Sequence, residues 1–428
     1  MDQTAYQQSL QAMFQLHRFG IKLGLDTISA MLSGLGNPQR NLKCIHIAGT
    51  NGKGSVAAML SNILKSSGYT VGRYTSPHLE RFNERICIDD EPIGDDEVVA
   101  AYQRANGITG LERQPTFFEF TTAMALDVFS QHQVQWAVIE TGMGGRLDAT
   151  NVLNPKLTII TNISLEHRNY LGDTIKIITG EKAGIIKPGI PVISGVRQKS
   201  AQKVVEQIAK KNKSKHYQFG TDFKIRRQIN QNLNYYGTNQ AWRNIELGLC
   251  GDHQYDNAAL VIAACEQLIE KGLCEISESQ MRKGLLETQW PGRLEVAGID
   301  PYLILDGAHN LMAARILKRH LLKHFHNRKI TLVVGILDDK PYRSILKDLI
   351  EPCHKVIVTQ PKIDRAIPVD RLEPIVKEFA KEVSARQDVA DAIKLALSST
   401  AKEDVICVAG SLYVVGEAKT ALRNLGIS

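Results

Sequence analysis

No two of this chain's cysteines stand in a C-x-x-C spacing, and the seven it has (Cys44, Cys87, Cys250, Cys265, Cys274, Cys353 and Cys407) are odd in number and scattered over 428 residues. That excludes a disulfide scaffold and suits a reducing compartment, where cysteine serves as a small apolar side chain. Long apolar runs are missing as well. No uncharged stretch is long enough to span a bilayer, and the opening MDQTAYQQSLQAM has no basic segment leading into an apolar one. These absences predict a cytoplasmic protein without a membrane partner. The densest basic stretch, Lys210-Lys211-Asn212-Lys213-Ser214-Lys215, has no aromatic residue interleaved. It therefore predicts a helix end in solvent, and no nucleic-acid partner. The net charge of +7 still favours small anions by steering.

What is present is a globular balance, 43% hydrophobic and 23% charged residues, over a length that suits two domains. Cys44 to Ser61 organises the first. Cys44-Ile45-His46-Ile47-Ala48 lacks the alternation of a half-exposed strand and predicts a buried one. Gly49, Gly52 and Gly54 punctuate a short turn, and Ser55 opens a helical stretch. Strand, glycine turn and helix aim backbone N–H groups at a phosphate. Lys53 is placed to reach the outer phosphates and Ser55 to approach their metal. The generic G-x-x-x-x-G-K-[ST] pattern is not met, since Ile47 and Gly54 occupy its first and last positions. The plainer alternative is a glycine-rich turn with a solvated lysine; three glycines, the lysine and both flanking elements favour the phosphate.

Other candidates fall at strand ends, where open α/β sheets present ligands. Strand Tyr69–Tyr74 runs into Ser76 and the string SPHLERFNERI, which chemistry alone divides between a charged surface loop and a site. Thr116-Phe117-Phe118-Glu119-Phe120 opens a helix; its phenylalanines serve a core or stack on a flat heteroaromatic ring. Strand Trp136–Glu140 ends in a carboxylate suited to Mg2+ and leads into TGMGGRLDATN. Strand Leu157–Asn162 leads to His167. A lone histidine is usually structural, but at a neighbouring strand tip it can share an ion with Glu140. Lys182 lies in a helix stopped by Pro188-Gly189, where a solvated lysine is the ordinary expectation. Asn257 precedes an Ala-rich helix, Ala258–Ile269, and either meets a purine edge or caps that helix. Near the N-terminus, helices are predicted over Gln3–Phe19 and Asp26–Leu35, with Asp26 as N-cap. The polar string Asn230–Gln240 predicts a hairpin or loop. After Trp290-Pro291-Gly292 strands and helices alternate again, with one helix over Pro368–Val383. The domains are accordingly placed at 1–298 and 299–428. Strand ends of the second carry LDGAHN (Asp306, His309, Asn310) and AGSLYVVGE (Ser411), without a G-x-G-x-x-G fingerprint.

GTNGKGS, SPHLERFNERI, FFEF, GGRLDATN, EKAGIIKPG, DGAHN and AGSLYVVGE occur in that order from about Gly49 to Gly416. Together they resemble the folylpolyglutamate synthase and dihydrofolate synthase family of the Mur ligase superfamily. The resemblance implies a Mur-ligase-like N-terminal ATPase domain with the phosphate loop, plus a smaller C-terminal Rossmann-like α/β domain. It implies an ATP-dependent ligase joining L-glutamate to the carboxylate of tetrahydrofolate, and also of dihydropteroate, through an acyl phosphate. ATP as co-substrate, two Mg2+ ions, a monovalent cation and a monomeric chain are implied with it. Lys53, Lys182 and His309 would be catalytic. Asn51, Gly52, Lys53, Gly54, Ser55 and Asn257, with Arg293 and Asp306 from the domain junction, would hold the nucleotide. Thr116, Phe117, Phe118, Glu119, Leu147, Asp148 and Ala149 would bind the folate. His309 and Ser411 would face glutamate. Ser76, Glu140, His167 and an N-carboxylated Lys182 would hold metal.

The chain departs from the family pattern at several places. Glu166 replaces an aspartate, Arg168 and Asn169 follow His167, Leu311 replaces a proline, and Thr27 stands where an arginine is common. Arg168 is a candidate to restore the charge missing at Thr27. Two other classes stay open at this point. A Mur-type peptidoglycan ligase would not need the SPHLERFNERI or FFEF segments, and a non-catalytic ATP-binding protein would not turn over.

Overall fold

Five consecutive apolar positions set the centre of the first unit. Cys44–Ala48 is buried along its length because it pairs in parallel on both sides, with Trp136–Glu140 and with Leu157–Ile160. Around it the computed structural model, which describes residues 3–20, 22–229 and 231–427, has an eight-stranded sheet. Its order is Glu91–Pro92, Ile86–Ile88, Val71–Tyr74, Trp136–Glu140, Cys44–Ala48, Leu157–Ile160, Val192–Ser194, His216–Gln218. Ile86–Ile88 runs antiparallel to both its neighbours, and the pairs from Val71–Tyr74 onward are all parallel. Register sets Ile47 beside Glu140 and Ala48 beside Ile160. The glycine turn, Glu140 and the segment after Ile160 thus leave the sheet on one edge, where parallel sheets place their ligands.

A core of Met13, Ile28, Met31, Tyr74, Phe82, Phe120 and Phe129 packs on one part of this sheet, and a second, with Ile160, Ile178 and Val205, on another. A three-stranded antiparallel sheet, Lys224–Arg227, Leu233–Tyr236 and Ala241–Ile245, joins the same unit. Buried Glu266 anchors it, accepting from Tyr235 Oη at 2.7 Å and from the N–H groups of Asn239 and Gln240 at 2.6 and 2.9 Å. The second unit comprises residues 79–81, 249–253 and the chain from Trp290 onward. Its six-stranded sheet runs Glu295–Ile299, Tyr302–Leu305, Val405–Ala409, Ile330–Val334, Lys355–Val358, Glu382–Ala385, parallel but for the first strand. No helix among the described residues is long and apolar enough to cross a membrane.

Several local expectations shift. Asp26 is the first helical residue and Leu25 the N-cap. The helix from Gln3 ends at Gln15 and continues as a 3-10 turn over Leu16–Phe19. The stretch Pro368–Val383 is a helix, Val369–Lys377, followed by an edge strand. The second unit opens before residue 299 because Glu295–Ile299 pairs with Tyr302–Leu305. Asn230 lies outside the described residues; the rest of its string contains the strand Leu233–Tyr236. The basic helix, Lys199–Lys211, ends with Lys210 and Lys211 exposed, as expected.

Candidate active site

The turn after Cys44–Ala48 demands its glycines. Gly49 has φ of 151°, and a Cβ there would lie 1.9 Å from Thr161 Oγ1; Gly52 has φ of 85°, and its Cβ would lie 2.5 Å from Asn257 Oδ1. The outer side of the turn is tied down. Asn51 O accepts from Thr161 Oγ1 at 2.7 Å and Asn162 Nδ2 at 2.9 Å, and Asn51 N donates to Asn162 Oδ1 at 3.0 Å. Helix Lys53–Ser66 then starts on Gly52 with no side-chain cap. A 14-residue helix that starts on a glycine, which has no side chain to cap it, presents its first N–H groups as donors suited to an anion. Lys53 is its first residue, two earlier than expected. Its Nζ donates to Gly49 O and Thr50 O, both at 3.2 Å, and lies 3.7 Å from Glu140 Oε1. Gln254 Nε2 donates to the buried Ser55 Oγ at 3.4 Å. Asn257 sits inside helix Asp252–Glu270, so it does not cap it; its Nδ2 donates to Gln254 Oε1 at 2.8 Å while its oxygen presses on Gly52.

Glu140 ends its strand nearly buried, and Ser76 N donates to its Oε2 at 3.2 Å. Among the described residues no three His, Cys, Asp or Glu side chains converge on a common cation position. Mg2+ needs no such cage: it takes one or two carboxylates and fills its shell with phosphate oxygens and water. A nearly dry carboxylate beside the phosphate turn, next to Ser76, fits that chemistry. Lys182 is 2% exposed, and its Nζ donates to Gly49 O at 2.9 Å and Glu166 Oε1 at 2.7 Å. Burial, helped by Lys53, lowers the Lys182 pKa against the pull of Glu166. Burial works to raise the Glu166 carboxyl, but Lys182 and Lys53 outweigh it and bring it to about 2. Thus Gly49 O joins Lys53 and Lys182, each with a carboxylate. His167, at φ 46°, precedes the short helix Arg168–Leu171 and directly follows Glu166 in sequence. Arg168 does not restore the charge missing at Thr27, because it pairs with Asp173 at 2.8 Å in an exposed position while Thr27 is buried in its own helix. The guanidinium that feels Asp26 is Arg113.

Arg113 grips Glu119 with both nitrogens, at 2.9 and 2.7 Å. Glu119 also takes Thr116 N at 2.8 Å, and Thr116 Oγ1 takes Glu119 N at 3.2 Å. This capping box is worth about 1 kcal/mol and commits both side chains to the start of helix Phe117–Gln131. The three phenylalanines divide. Phe120 joins the core; Phe117 stacks on His17 at 4.2 Å with Arg85 5.1 Å above it; half-buried Phe118 lies 6.0 Å from the Tyr74 ring and covers Gly142. Leu147 is half-buried and Ala149 buried. Asp148 turns inward and accepts from Met143 N at 2.8 Å, Thr150 N at 3.0 Å and Thr150 Oγ1.

In the second unit Asp306 is buried and accepts from Leu294 N at 2.9 Å; burial raises its pKa, with Arg293 opposing. Arg293 lies against Gly307, where a Cβ would be 2.5 Å from Nη1. His309 Nδ1 donates to Gly307 O at 2.8 Å, which places that proton on Nδ1. Gly410 N donates to Ala308 O at 3.1 Å, bringing the His309 and Ser411 segments together. Ser411 caps helix Leu412–Asn424, and Asn310 caps Leu311–His324, whose first position accepts leucine in place of proline. Sequence reasoning missed Thr161, Asn162, Gln254 and Arg113 and saw Glu166 only as a departure. None stands in a string whose chemistry is local.

A parallel sheet with an uncapped, glycine-seated helix start, a lysine and a carboxylate at one edge, joined in sequence to a smaller α/β unit, defines an ATP-using ligase of the Mur class. Residues 47–265 match the Mur ligase middle domain and 295–423 the dihydrofolate synthetase C-terminal domain. The chain belongs to the dihydrofolate synthase/folylpolyglutamate synthase family of ATP-dependent ligases. It is 36% identical to the dihydrofolate synthase/folylpolyglutamate synthase of Bacillus subtilis (strain 168), over 98% of this chain and 100% of that one. It superposes on E. coli FolC in complex with DHPP and ADP with TM-score 0.90 at 27% identity, covering 98% of each chain. It is similarly close to the bifunctional folylpolyglutamate synthase/dihydrofolate synthase of Yersinia pestis complexed with AMPPNP and Mn ion, with TM-score 0.87 and 29% identity over 98% of each chain.

Proposed function

We propose that this chain joins L-glutamate to the carboxylate of tetrahydrofolate, and equally to that of dihydropteroate, as ATP is cleaved to ADP and phosphate. The observation that carries this is the uncapped start of helix Lys53–Ser66, with Lys53 Nζ 3.7 Å from Glu140. A carboxylate oxygen of the acid attacks the γ-phosphorus, the bond to the β–γ bridging oxygen breaks, and ADP leaves an acyl phosphate. The amine of glutamate then attacks the acyl carbon, the carbon–oxygen bond to phosphate breaks, and the nitrogen gives up a proton. No side-chain nucleophile is needed, so positioning and charge neutralisation supply the rate.

Asn51, Gly52, Gly54 and Ser55 cradle the phosphates, Lys53 neutralises them, and Asn257 meets the nucleotide. Ser76, Glu140 and His167 would hold Mg2+, which neutralises phosphate charge when bound. Lys182 would complete a second divalent site as its N-carboxylate; burial favours the neutral amine that such a modification requires. A monovalent cation, a monomeric chain and a cytoplasmic setting belong to the same proposal. Half-buried Phe118 offers a ring face to the folate acid and buried Phe117, stacked on His17, supports the same helix start, while Thr116, Glu119 and Asp148 hold the segments that carry those rings and Leu147 and Ala149. Arg293 and Asp306 serve the nucleotide, and His309 and Ser411 the glutamate.

Purified protein given ATP, glutamate and either dihydropteroate or tetrahydrofolate should yield dihydrofolate from the first and a lengthened folate from the second, resolved by mass. Turnover confined to tetrahydrofolate would remove the dihydropteroate half. Phosphate release with a muramyl acid and neither folate would overturn the assignment. Glu140→Ala and His167→Ala should each raise the Mg2+ needed for half-maximal turnover about 10–100-fold; an unmoved titration removes that residue from the metal site.

A further inference from the structure

His46 is a polar residue in the middle of an apolar strand, fully buried. Its Nε2 lies 2.8 Å from Thr150 Oγ1, and its Nδ1 is buried with no hydrogen-bond partner among the described residues. Thr150 has one hydroxyl proton, which it donates to Asp148 Oδ1 at 2.5 Å. Its oxygen can then only accept from His46, so Nε2 carries the ring proton. Burial, with Lys187 adding to it, brings the imidazole down to about 3, so the ring is neutral. An aliphatic side chain would fill this place without stranding Nδ1, a group whose desolvation goes unrepaid. The one bond to Thr150 is what the histidine adds.

That bond ends a chain of contacts. Asp148 closes the loop by accepting from Met143 N and Thr150 N, and Asn151 Nδ2 donates to Arg146 O at 2.9 Å and Gly184 O at 3.2 Å. The loop from Met143 to Asn151 is therefore one closed piece, seated on the C-terminal end of the Lys182 helix and on His46, three residues before Gly49. We propose that His46 is a positioning residue that, through Thr150 and Asp148, fastens the acid-side loop to the strand carrying the phosphate turn. The inference rests on the reading of Leu147–Ala149 as acid-side. Two segments far apart in sequence deliver the reacting carboxylate and the γ-phosphate, and this bond sets their spacing, on which near-attack geometry depends.

The full chain and its His46→Met, His46→Gln and Thr150→Val variants test this by kcat, the KM values for the folate acid and for ATP, and the unfolding midpoint. Methionine fills the space without a donor, so the KM for the acid should rise about tenfold while that for ATP stays within about twofold. Glutamine carries a donor of similar reach and should bring the acid KM back to within about threefold of wild type. Thr150→Val keeps the side-chain shape and removes the hydroxyl; it should reproduce the methionine effect, and it carries the test if His46→Met does not fold. A purely structural histidine would lower the midpoint, shift both KM values alike and gain nothing from glutamine, and that pattern overturns the proposal. Absence of folate-dependent turnover in the wild-type chain would instead sink the proposed function and the inference with it. Normal wild-type turnover with an unmoved acid KM in His46→Met and Thr150→Val would sink the inference alone.

Discussion

Replacing Lys53 with alanine should cut glutamate-dependent phosphate release by about a thousandfold, the scale of losing one preorganised charge on a transferring group. The fold should survive. Lys53 is half-buried rather than freely exposed, but its amine makes only two 3.2 Å bonds to carbonyls and a loose 3.7 Å contact with Glu140. A cation at the first position of a helix also opposes the helix dipole, so removing it returns part of what those bonds contribute. A net change within about 1 kcal/mol follows, read from urea unfolding beside the turnover assay. Wild-type turnover in Lys53→Ala would mean that the glycine turn does not hold the transferred phosphate.

How far the sequence reached depended on where the information sits. The strands Cys44–Ala48 and Trp136–Glu140 were legible to the residue, because a parallel strand buried on both faces must be an apolar run. Glu295–Ile299 and Glu382–Ala385 were not, because an edge strand is short, half-exposed and defined by its partner. The phosphate turn was legible because its glycines and lysine are neighbours in sequence. Glu166 and Lys182 are 16 residues apart and His46 and Thr150 are 104 apart. A histidine inside an apolar strand signals something, but not what it holds. Asp148 and Glu119 are the complementary case. Their strings point to ligands, whereas both carboxylates are turned into hydrogen bonds of their own segments.

Lys182→Met should abolish turnover and also destabilise the chain, and the two losses should separate. In the unmodified chain Lys182 is buried and Glu166 has 12% of its side chain exposed, so deleting the lysine leaves a carboxylate without its closest cation. Breaking such a pair from one side costs about 3–5 kcal/mol. Adding Glu166→Gln removes the stranded charge, and the double variant should recover most of that stability without recovering turnover. The pH dependence has a definite sign. In the wild type the Glu166 carboxyl, at about 2, lies below its unfolded value of about 4.3, so its contribution is present above that value and lost as pH falls toward 2. Lys182→Met removes the strongest pull that holds this carboxyl down, so the deficit is full above about 4.3 and shrinks as the solution is acidified toward pH 2. Urea unfolding at pH 7 and at about pH 3 reads this directly. A single variant as stable as wild type at pH 7 would show that the pair contributes nothing. A double variant that regains turnover as well as stability would reduce Lys182 to a partner for Glu166, whereas stability regained without turnover leaves the amine with a chemical role that no packing substitute supplies.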